Sequence, residues 1–144
     1  MLTQEEIATV QGDWANVRPI ASKAATLFYD RLFELDPSLR SLFRPDLGEQ
    51  KKKLVLMLSA AVAGLDDLPK LVPVVEDLGR RHVGYGVVPE QYATVASALL
   101  WTLKQGLGAA FDDAHVAAWT KVYGLLAQTM LSAPPVVQPE TSPK

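Results

Sequence analysis

Histidine is the residue type of this 144-residue chain that is best suited to hold a metal ion, and it occurs twice. A neutral imidazole nitrogen is a common metal ligand, and His82, near the end of a helical pattern, is such a candidate. An isolated histidine is nevertheless more often an ordinary surface or core residue. We interpret His115, in the first turn of the last predicted helix, as a solvated or capping side chain. His82 therefore indicates a metal site only if its surroundings support one.

The absence of cysteine narrows the chemistry that such a site could have. Without thiolates the chain forms no disulfide, no cysteine-ligated zinc or iron–sulfur centre, and no covalent cofactor attachment of the C-x-x-C-H type. A metal must therefore be held by nitrogen, oxygen or methionine sulfur.

Composition and charge favour one globular domain without polyanionic partners. Apolar residues make up 49% and charged residues 21% of the chain, which is ordinary for a globular protein. The formal net charge of −2 gives no electrostatic reason to bind nucleic acid or an anionic membrane. The N-terminus lacks an apolar secretory core, and no apolar run approaches the roughly 20 residues that span a bilayer. We therefore expect a cytoplasmic protein with no nucleic-acid or membrane partner.

Helical patterns position the candidate residues and extend to about residue 132. Thr3-Gln4-Glu5-Glu6 is a capping-box sequence, in which the Thr3 hydroxyl and the Glu6 carboxylate satisfy amides at the start of a helix. Asp112 or Asp113 can likewise cap the last helix. No stretch shows the two-residue alternation that is typical of a strand. The sequence therefore predicts an all-α fold of about seven helices.

Two segments depart from regular helical patterns. Pro73 removes a hydrogen bond from an established helix, so we expect a short break near it and a clean helix from about Val74 to His82. Residues 133–144 contain four of the ten prolines and few large apolar groups. We therefore expect a disordered tail there, after a single domain of residues 1–132.

Three segments, together with a short helix that ends at Phe43, resemble a known family. The segments are Leu27-Phe28-Tyr29, Leu78-Gly79-Arg80-Arg81-His82 and Ala118-Trp119-Thr120-Lys121-Val122-Tyr123-Gly124. The family is the globins, and the resemblance covers roughly residues 3–132. It is greatest to single-domain bacterial globins related to flavohaemoglobins. The resemblance implies an all-α globin fold without a separate D helix, whose helices sandwich one haem.

The resemblance also implies a haem site in which His82 is the ligand of the iron. Phe43 falls where the family packs an aromatic ring flat on the haem. Gln50 and Leu54 fall at the two distal positions, so that an amide, a poor iron ligand, stands where animal globins usually carry a histidine. Tyr29 falls where bacterial members direct a hydroxyl at the bound gas. Without cysteine, the cofactor that this implies is non-covalent haem b.

Other interpretations of these residues remain open from the sequence. Gln50 could be an exposed polar residue of a first helical turn, and Tyr29 a boundary residue whose oxygen lies in water. Lys53 and Arg81 could pair with the haem propionates, but solvated positions are equally compatible with the sequence.

On the side of His82, the resemblance implies a pocket wall that includes Leu78, Val87 and Tyr92. In flavohaemoglobins a tyrosine at the position of Tyr92 supports the proximal histidine together with a glutamate of the last helix. The position expected to hold that carboxylate is Pro134, beyond the predicted helix. This departure argues against a strongly basic, peroxidase-like iron ligand.

The resemblance implies tight, reversible dioxygen binding for storage or scavenging, with carbon monoxide and nitric oxide as further ligands and no separate catalytic residues. A nitric oxide dioxygenase is the enzymatic alternative. It would need a separate reductase, because the family's self-sufficient members carry appended flavin and nicotinamide domains and this chain has 144 residues. A haem-based gas sensor and a helical bundle without cofactor are further alternatives. We expect a monomer or a weak homodimer.

Overall fold

The computed structural model describes residues 2–84 and 86–133, and the regular structure of these residues is entirely helical. The α-helices are α1 (Gln4–Val17), α2 (Ala21–Leu35), α3 (Gly48–Ala63), α4 (Leu68–Gly84), α5 (Pro89–Leu107) and α6 (Asp113–Leu131). The 3-10 helices are Arg18–Ile20, Pro37–Leu42, Gly64–Asp66 and Gly108–Ala110. The six α-helices and the longest 3-10 helix match the predicted number. Residues 43–47, all of them described, contain no helix, as expected for a chain without a separate D helix.

Side-chain caps fix where the first and last helices begin. The main-chain N–H of Glu6 donates to Thr3 Oγ1 over 3.0 Å, and that of Thr3 donates to Glu6 Oε1 over 2.8 Å. These two bonds confirm the predicted capping box. Asp112 caps α6, since its carboxylate accepts a 3.2 Å bond from the main-chain N–H of His115.

The predicted break near Pro73 is wrong, because α4 is continuous through this residue. A proline inside a helix lacks the N–H that would bond to the carbonyl four residues earlier, and it costs about 3 kcal/mol. Leu71 and Val75 on either side are only 7% and 2% exposed. Burying each of these side chains is worth about 1.5–3 kcal/mol. The packing of the helix against the core therefore offsets the cost of the proline.

One continuous hydrophobic core is built by all six α-helices. Side chains from each helix are almost completely buried in it, including Val10, Val17, Phe28, Leu32, Val62, Val75, Leu103, Trp119 and Val122. The helices that carry the candidate site residues are thus held by packing at many points, which limits their relative movement.

The main chains of α4 and α6 approach one another at Gly79. A Cβ atom built on Gly79 would collide with the main chain of Met130, so that only glycine fits at this crossing. His82 lies three residues further along α4. The crossing therefore fixes the end of the helix that carries the candidate metal ligand.

A buried carboxylate connects the first helix to the last. Asp13 of α1 is 3% exposed, and it accepts a 2.7 Å bond from His115 Nδ1 and a 3.0 Å bond from Trp119 Nε1. The interpretation of His115 as a solvated or capping side chain is therefore wrong. Its ring joins two helices that are about 100 residues apart in sequence, a contact that no local pattern could predict.

Two further predictions concern membrane-spanning segments and the C-terminal tail. Among the described residues, no helix combines the length and the apolar character needed to cross a membrane. The predicted disordered tail falls on residues 133–144, and residues 134–144 lie outside the part of the chain that the structure describes.

Candidate functional site

The ring of His82 is oriented by its own helix. Its Nδ1 lies 2.9 Å from the main-chain oxygen of Leu78, four residues earlier on α4. Because a carbonyl oxygen can only accept, Nδ1 carries the proton and donates it. In the neutral ring Nε2 then has the lone pair, and this is the tautomer in which Nε2 can bind a metal.

The surroundings of His82 favour that neutral form. Burial lowers the pKa of the imidazole below its ordinary value, the hydrogen bond to Leu78 acts in the opposite direction, and the charge of Arg81 lowers the pKa further. A protonated imidazole cannot bind a metal, so a lowered pKa keeps the ligand available at neutral pH.

The side chains that the described residues offer suit a metal ion that a cofactor already coordinates. Within residues 2–84 and 86–133, no group of three or more histidine, cysteine, aspartate or glutamate side chains could hold a bare ion. A single oriented imidazole instead matches the one axial nitrogen that a metal in a macrocyclic cofactor needs. The residues present therefore fit a haem-type group and do not fit a protein-ligated metal centre.

Tyr29 lies in the interior of the protein and has a polar partner there. The residue is 2% exposed, and burial raises the pKa of its hydroxyl, whereas a hydrogen bond with the Gln50 side chain acts in the opposite direction. Gln50 lies in the first turn of α3 and is half-buried. The structure thus brings together two side chains that the sequence places 21 positions apart, and it excludes a water-exposed hydroxyl for Tyr29.

The ring of Tyr29 packs against the rings of Phe33 and Phe43, and the three form an aromatic cluster. The ring centroid of Tyr29 lies 5.6 Å from that of Phe43 and 6.0 Å from that of Phe33, and Phe33 and Phe43 are 5.6 Å apart. Phe43 directly follows the 3-10 helix Pro37–Leu42. Leu54, one turn after Gln50 on α3, is partly buried against the core. Apolar groups therefore surround the polar pair.

The residues expected on the other side of the pocket lie around His82. The ring of Tyr92 is 8% exposed, and its centroid is 6.1 Å from the imidazole centroid. The main-chain N–H of Val87 donates to the carbonyl of His82 over 3.0 Å. The Leu78 carbonyl and the Tyr92 ring thus lie beside the imidazole, whereas Val87 contacts the main chain of His82.

The turn after His82 meets the segment that carries Phe43. Gly86 has a φ of +89°, a conformation that favours glycine. A Cβ atom built on Gly86 would lie 3.8 Å from Leu42 Cδ2, the residue just before Phe43. The two halves of the candidate site therefore adjoin one another at this point.

Lys53 and Arg81 differ from the other candidates because both are exposed. Arg81 Nε lies 3.3 Å from Asp77 Oδ2 on the same helix. Within the described residues, the Lys53 ammonium forms no ion pair. The structure places these two cations on the exposed surface of α3 and α4, outside the buried cluster.

Two residues that contact the site, Phe33 and Tyr123, were not assigned to it from the sequence, and Tyr123 was interpreted as a core residue. Phe33 lies four positions after Tyr29, on the same helix face, and this spacing is a signal that could have included it. Tyr123 of α6 donates a 2.7 Å bond to the main-chain oxygen of Tyr92 and thereby connects the last helix to the wall beside His82. No sequence pattern predicts this contact between Tyr123 and Tyr92.

A separate surface groove of about 240 Å³ lies between α4 and α6. It is lined by Val72, Glu76, Leu125, Gln128, Thr129 and Ser132. It contains one carboxylate and no imidazole, so its residues offer no metal site, and none of them is a predicted site residue.

Known proteins resemble this chain along most of its length. The family model described as Globin matches residues 26–130. Neuroglobin of Chaenocephalus aceratus is 31% identical over 90% of each chain. A bacterial globin from Campylobacter jejuni has a TM-score of 0.80 and 25% identity, and the match covers 91% of this chain and 95% of that one. An engineered carbene transferase from Rhodothermus marinus, described as a candidate nitric oxide dioxygenase, has a TM-score of 0.80 at 24% identity and covers 90% and 91%.

Proposed function

Because this chain belongs to the globin family, whose members hold haem and bind small gas molecules, we propose that it is a haem-b protein that binds dioxygen tightly and reversibly. Its role is storage or scavenging, and carbon monoxide and nitric oxide are further ligands. The observation that carries the proposal is that the buried Tyr29 side chain interacts with the half-buried Gln50 side chain. Haem, when bound, supplies the iron at which the gas binds.

His82 is the proposed iron ligand. Its Nδ1 donates a hydrogen bond to the Leu78 carbonyl, so Nε2 is the nitrogen that would bind the iron. The same hydrogen bond restricts rotation of the ring. A backbone carbonyl is a weaker partner than a carboxylate, so the imidazole retains little anionic character. This supports gas binding over the cleavage of peroxide, which profits from a strongly electron-donating ligand.

Tyr29 and Gln50 stabilise the bound gas by donating hydrogen bonds to it. Bound dioxygen gains partial negative charge, and a hydrogen bond to a charged group contributes about 1.5–3 kcal/mol. Each 1.4 kcal/mol changes an equilibrium constant about tenfold, so the pair accounts for high affinity and slow release. Gln50 is a poor iron ligand, so its amide would leave the iron of a bound haem available to the gas.

Apolar side chains hold the cofactor and exclude water. Phe43, Leu54, Leu78, Val87 and Tyr92 are the proposed lining residues. A haem that buries several hundred Å² of apolar surface gains on the order of 10 kcal/mol at about 25 cal/mol per Å², which suffices without a covalent bond.

Lys53 and Arg81 are the proposed partners of the haem propionates. Arg81 already contacts Asp77, so it would have to share or exchange that partner. Exposed ion pairs contribute about 0–1 kcal/mol, and we therefore assign these residues a minor part in holding haem.

The proposal is tested first by absorption spectra of the purified protein in its ferric, ferrous and oxygenated forms. A haem band that persists through all three, followed by slow dioxygen release in stopped flow, supports it. Protein expressed with adequate iron and haem that shows no Soret band would contradict it and favour a helical bundle without cofactor.

Substitution of Tyr29 tests the distal pair itself. Tyr29→Phe removes one hydrogen bond to the ligand and should accelerate dioxygen dissociation by about tenfold or more. Gln50→Leu should act in the same direction, whereas Gln105→Leu, on the exposed face of α5, should leave the rate unchanged. An unchanged rate in Tyr29→Phe would remove Tyr29 from the site.

A second candidate function is nitric oxide dioxygenation, which the tyrosine–glutamine pair also suits. Conversion of nitric oxide and dioxygen to nitrate requires one electron per turnover, so a separate reductase has to supply it. The similar fold of the Rhodothermus marinus protein, a candidate nitric oxide dioxygenase, is compatible with this function. Nitrate formation over many turnovers with an added reductase would place this activity first.

The same proposal includes a cytoplasmic location, a globin domain of residues 1–132 and a monomer or weak homodimer. It includes no nucleic-acid or membrane partner, because the net charge of −2 favours no polyanionic partner.

A further inference from the structure

The guanidinium of Arg40 holds the loop that follows Phe43. Its Nη1 donates to the carbonyl of Arg44 over 2.9 Å, and its Nη2 donates to the carbonyl of Pro45 over 2.7 Å. A longer contact of 3.5 Å joins Nη1 to the carbonyl of Phe43 itself. One side chain thus engages three consecutive carbonyls of this loop.

The main chain of Arg40 is also bonded to Phe43. The N–H of Phe43 donates to the carbonyl of Arg40 over 3.2 Å. Phe43 is therefore fixed relative to Arg40 by its own N–H, by its own carbonyl and by the two residues that follow it.

The same guanidinium covers another ring of the aromatic cluster. Its central carbon lies 5.3 Å from the ring centroid of Phe33, which is within the range of a cation–π contact. Phe33 touches both Tyr29 and Phe43. Arg40 consequently contacts the ring of Phe33 and the main chain of Phe43, and the rings of both residues contact the third ring, that of Tyr29.

The charge of Arg40 has no carboxylate partner in the part of the chain that the structure describes. Hydrogen bonds from a charged donor are shorter and stronger than neutral ones, and the planar fork of arginine can serve several acceptors at fixed angles. Arg40 is half-buried; its contact with the Phe43 carbonyl is partly buried, whereas its bonds to the Arg44 and Pro45 carbonyls are exposed. They define a fixed arrangement of Phe33, Phe43 and the intervening chain.

We propose that Arg40 is a positioning residue that holds the aromatic cluster, and through it the Tyr29 hydroxyl, in the orientation that stabilises bound gas. This inference rests on the proposed function of Tyr29. The proposed action of Arg40 is exerted through its contacts with Phe33 and Phe43. Its removal should allow the tyrosine hydroxyl to move from the ligand without changing any group that contacts the ligand.

The first test is the rate of dioxygen dissociation from the haem-loaded protein. Arg40→Met keeps the length and apolar stem of the side chain and removes its donors, and it should accelerate dissociation about threefold or more, since small displacements of positioned groups have large kinetic effects. Arg40→Lys keeps the charge but loses the planar fork, and it should lie between. Arg44→Met is the matched control, because in the described structure the Arg44 side chain makes no hydrogen bond or ion pair.

The second test separates positioning from general stabilisation. In a Tyr29→Phe background, Arg40→Met should cause no further acceleration, since the hydroxyl that Arg40 positions is already absent. The C–O stretching frequency of the carbon monoxide complex should rise in Arg40→Met, because a Tyr29 hydroxyl that moves away polarises the ligand less. It should stay constant in Arg44→Met. If Arg40→Met does not retain haem, Arg40→Lys serves for the same measurements.

Each remaining outcome overturns the inference in an identifiable way. Equal acceleration in both backgrounds would mean that Arg40 acts by a route other than Tyr29. Accelerated release in Tyr29→Phe with an unchanged rate in Arg40→Met would overturn the positioning role alone. An unchanged rate in Tyr29→Phe would overturn the proposed function of Tyr29 and this inference with it.

Discussion

At the scale of single residues, the environment of His82 determines its protonation. Burial and the charge of Arg81 lower its pKa from the ordinary value of 6.5 in the haem-free chain, whereas an unfolded chain keeps the ordinary value. Between these two values the unfolded state binds more protons than the folded state, so the stability of the folded state falls as the pH drops below about 6.5.

The lowered pKa of His82 predicts how the stability of the haem-free protein depends on pH. The free energy of unfolding in urea should decrease from pH 7.5 to pH 5.5, and His82→Leu should show a smaller decrease, because leucine binds no proton. The difference between the two chains isolates His82 from the other titrating groups. Equal decreases in both chains would show that the pKa of His82 is the same in the folded and unfolded states.

The roles of the site residues were inferred from a resemblance to the globins. The structure adds contacts between residues that are distant in sequence or depend on how a loop folds, and these contacts cannot be predicted from the residue types. Tyr29 and Gln50 are assigned by their family positions, and the structure brings their side chains close enough to interact. The contacts of Arg40 depend instead on how a loop folds back over its own side chain. Such contacts are set by tertiary structure, so no sequence pattern indicates them.

At the scale of elements, helix starts were predictable and helix continuity was not. Thr3 and Asp112 cap their helices by bonds within three residues, and such local chemistry is visible in the sequence. Pro73 also acts locally, but the burial of Leu71 and Val75 that offsets it depends on helices distant in sequence. A local rule therefore failed where long-range packing contributed more to stability than the proline removed.

The crossing of α4 and α6 provides a prediction at this scale. Gly79→Ala should lower the midpoint of thermal unfolding, because its Cβ meets the main chain of Met130 and overpacking costs about 1–3 kcal/mol. The better helix propensity of alanine returns only about 1 kcal/mol. Gly124→Ala in α6 is the matched control, since a Cβ there meets nothing within 4 Å, and it should be neutral or stabilising. Equal midpoints in the two variants would contradict a close crossing.

At the scale of the whole molecule, the buried carboxylate of Asp13 joins the beginning of the fold to its end. It accepts bonds from two side chains of α6, and a buried acceptor or donor that loses its partner costs about 1–3 kcal/mol. Asp13→Asn keeps the volume but presents an amide N–H₂ to one of two donors. The melting midpoint should fall by several degrees, at about 2–4 °C per kcal/mol for a chain of this size. Asp30→Asn, at an exposed position of α2, should change it by less than about 2 °C on the same scale. If both variants melt together with the parent chain, the Asp13 carboxylate contributes nothing to closing the fold, and the contact between α1 and α6 is held by its apolar side chains and by the ion pair of Glu6 with Lys121.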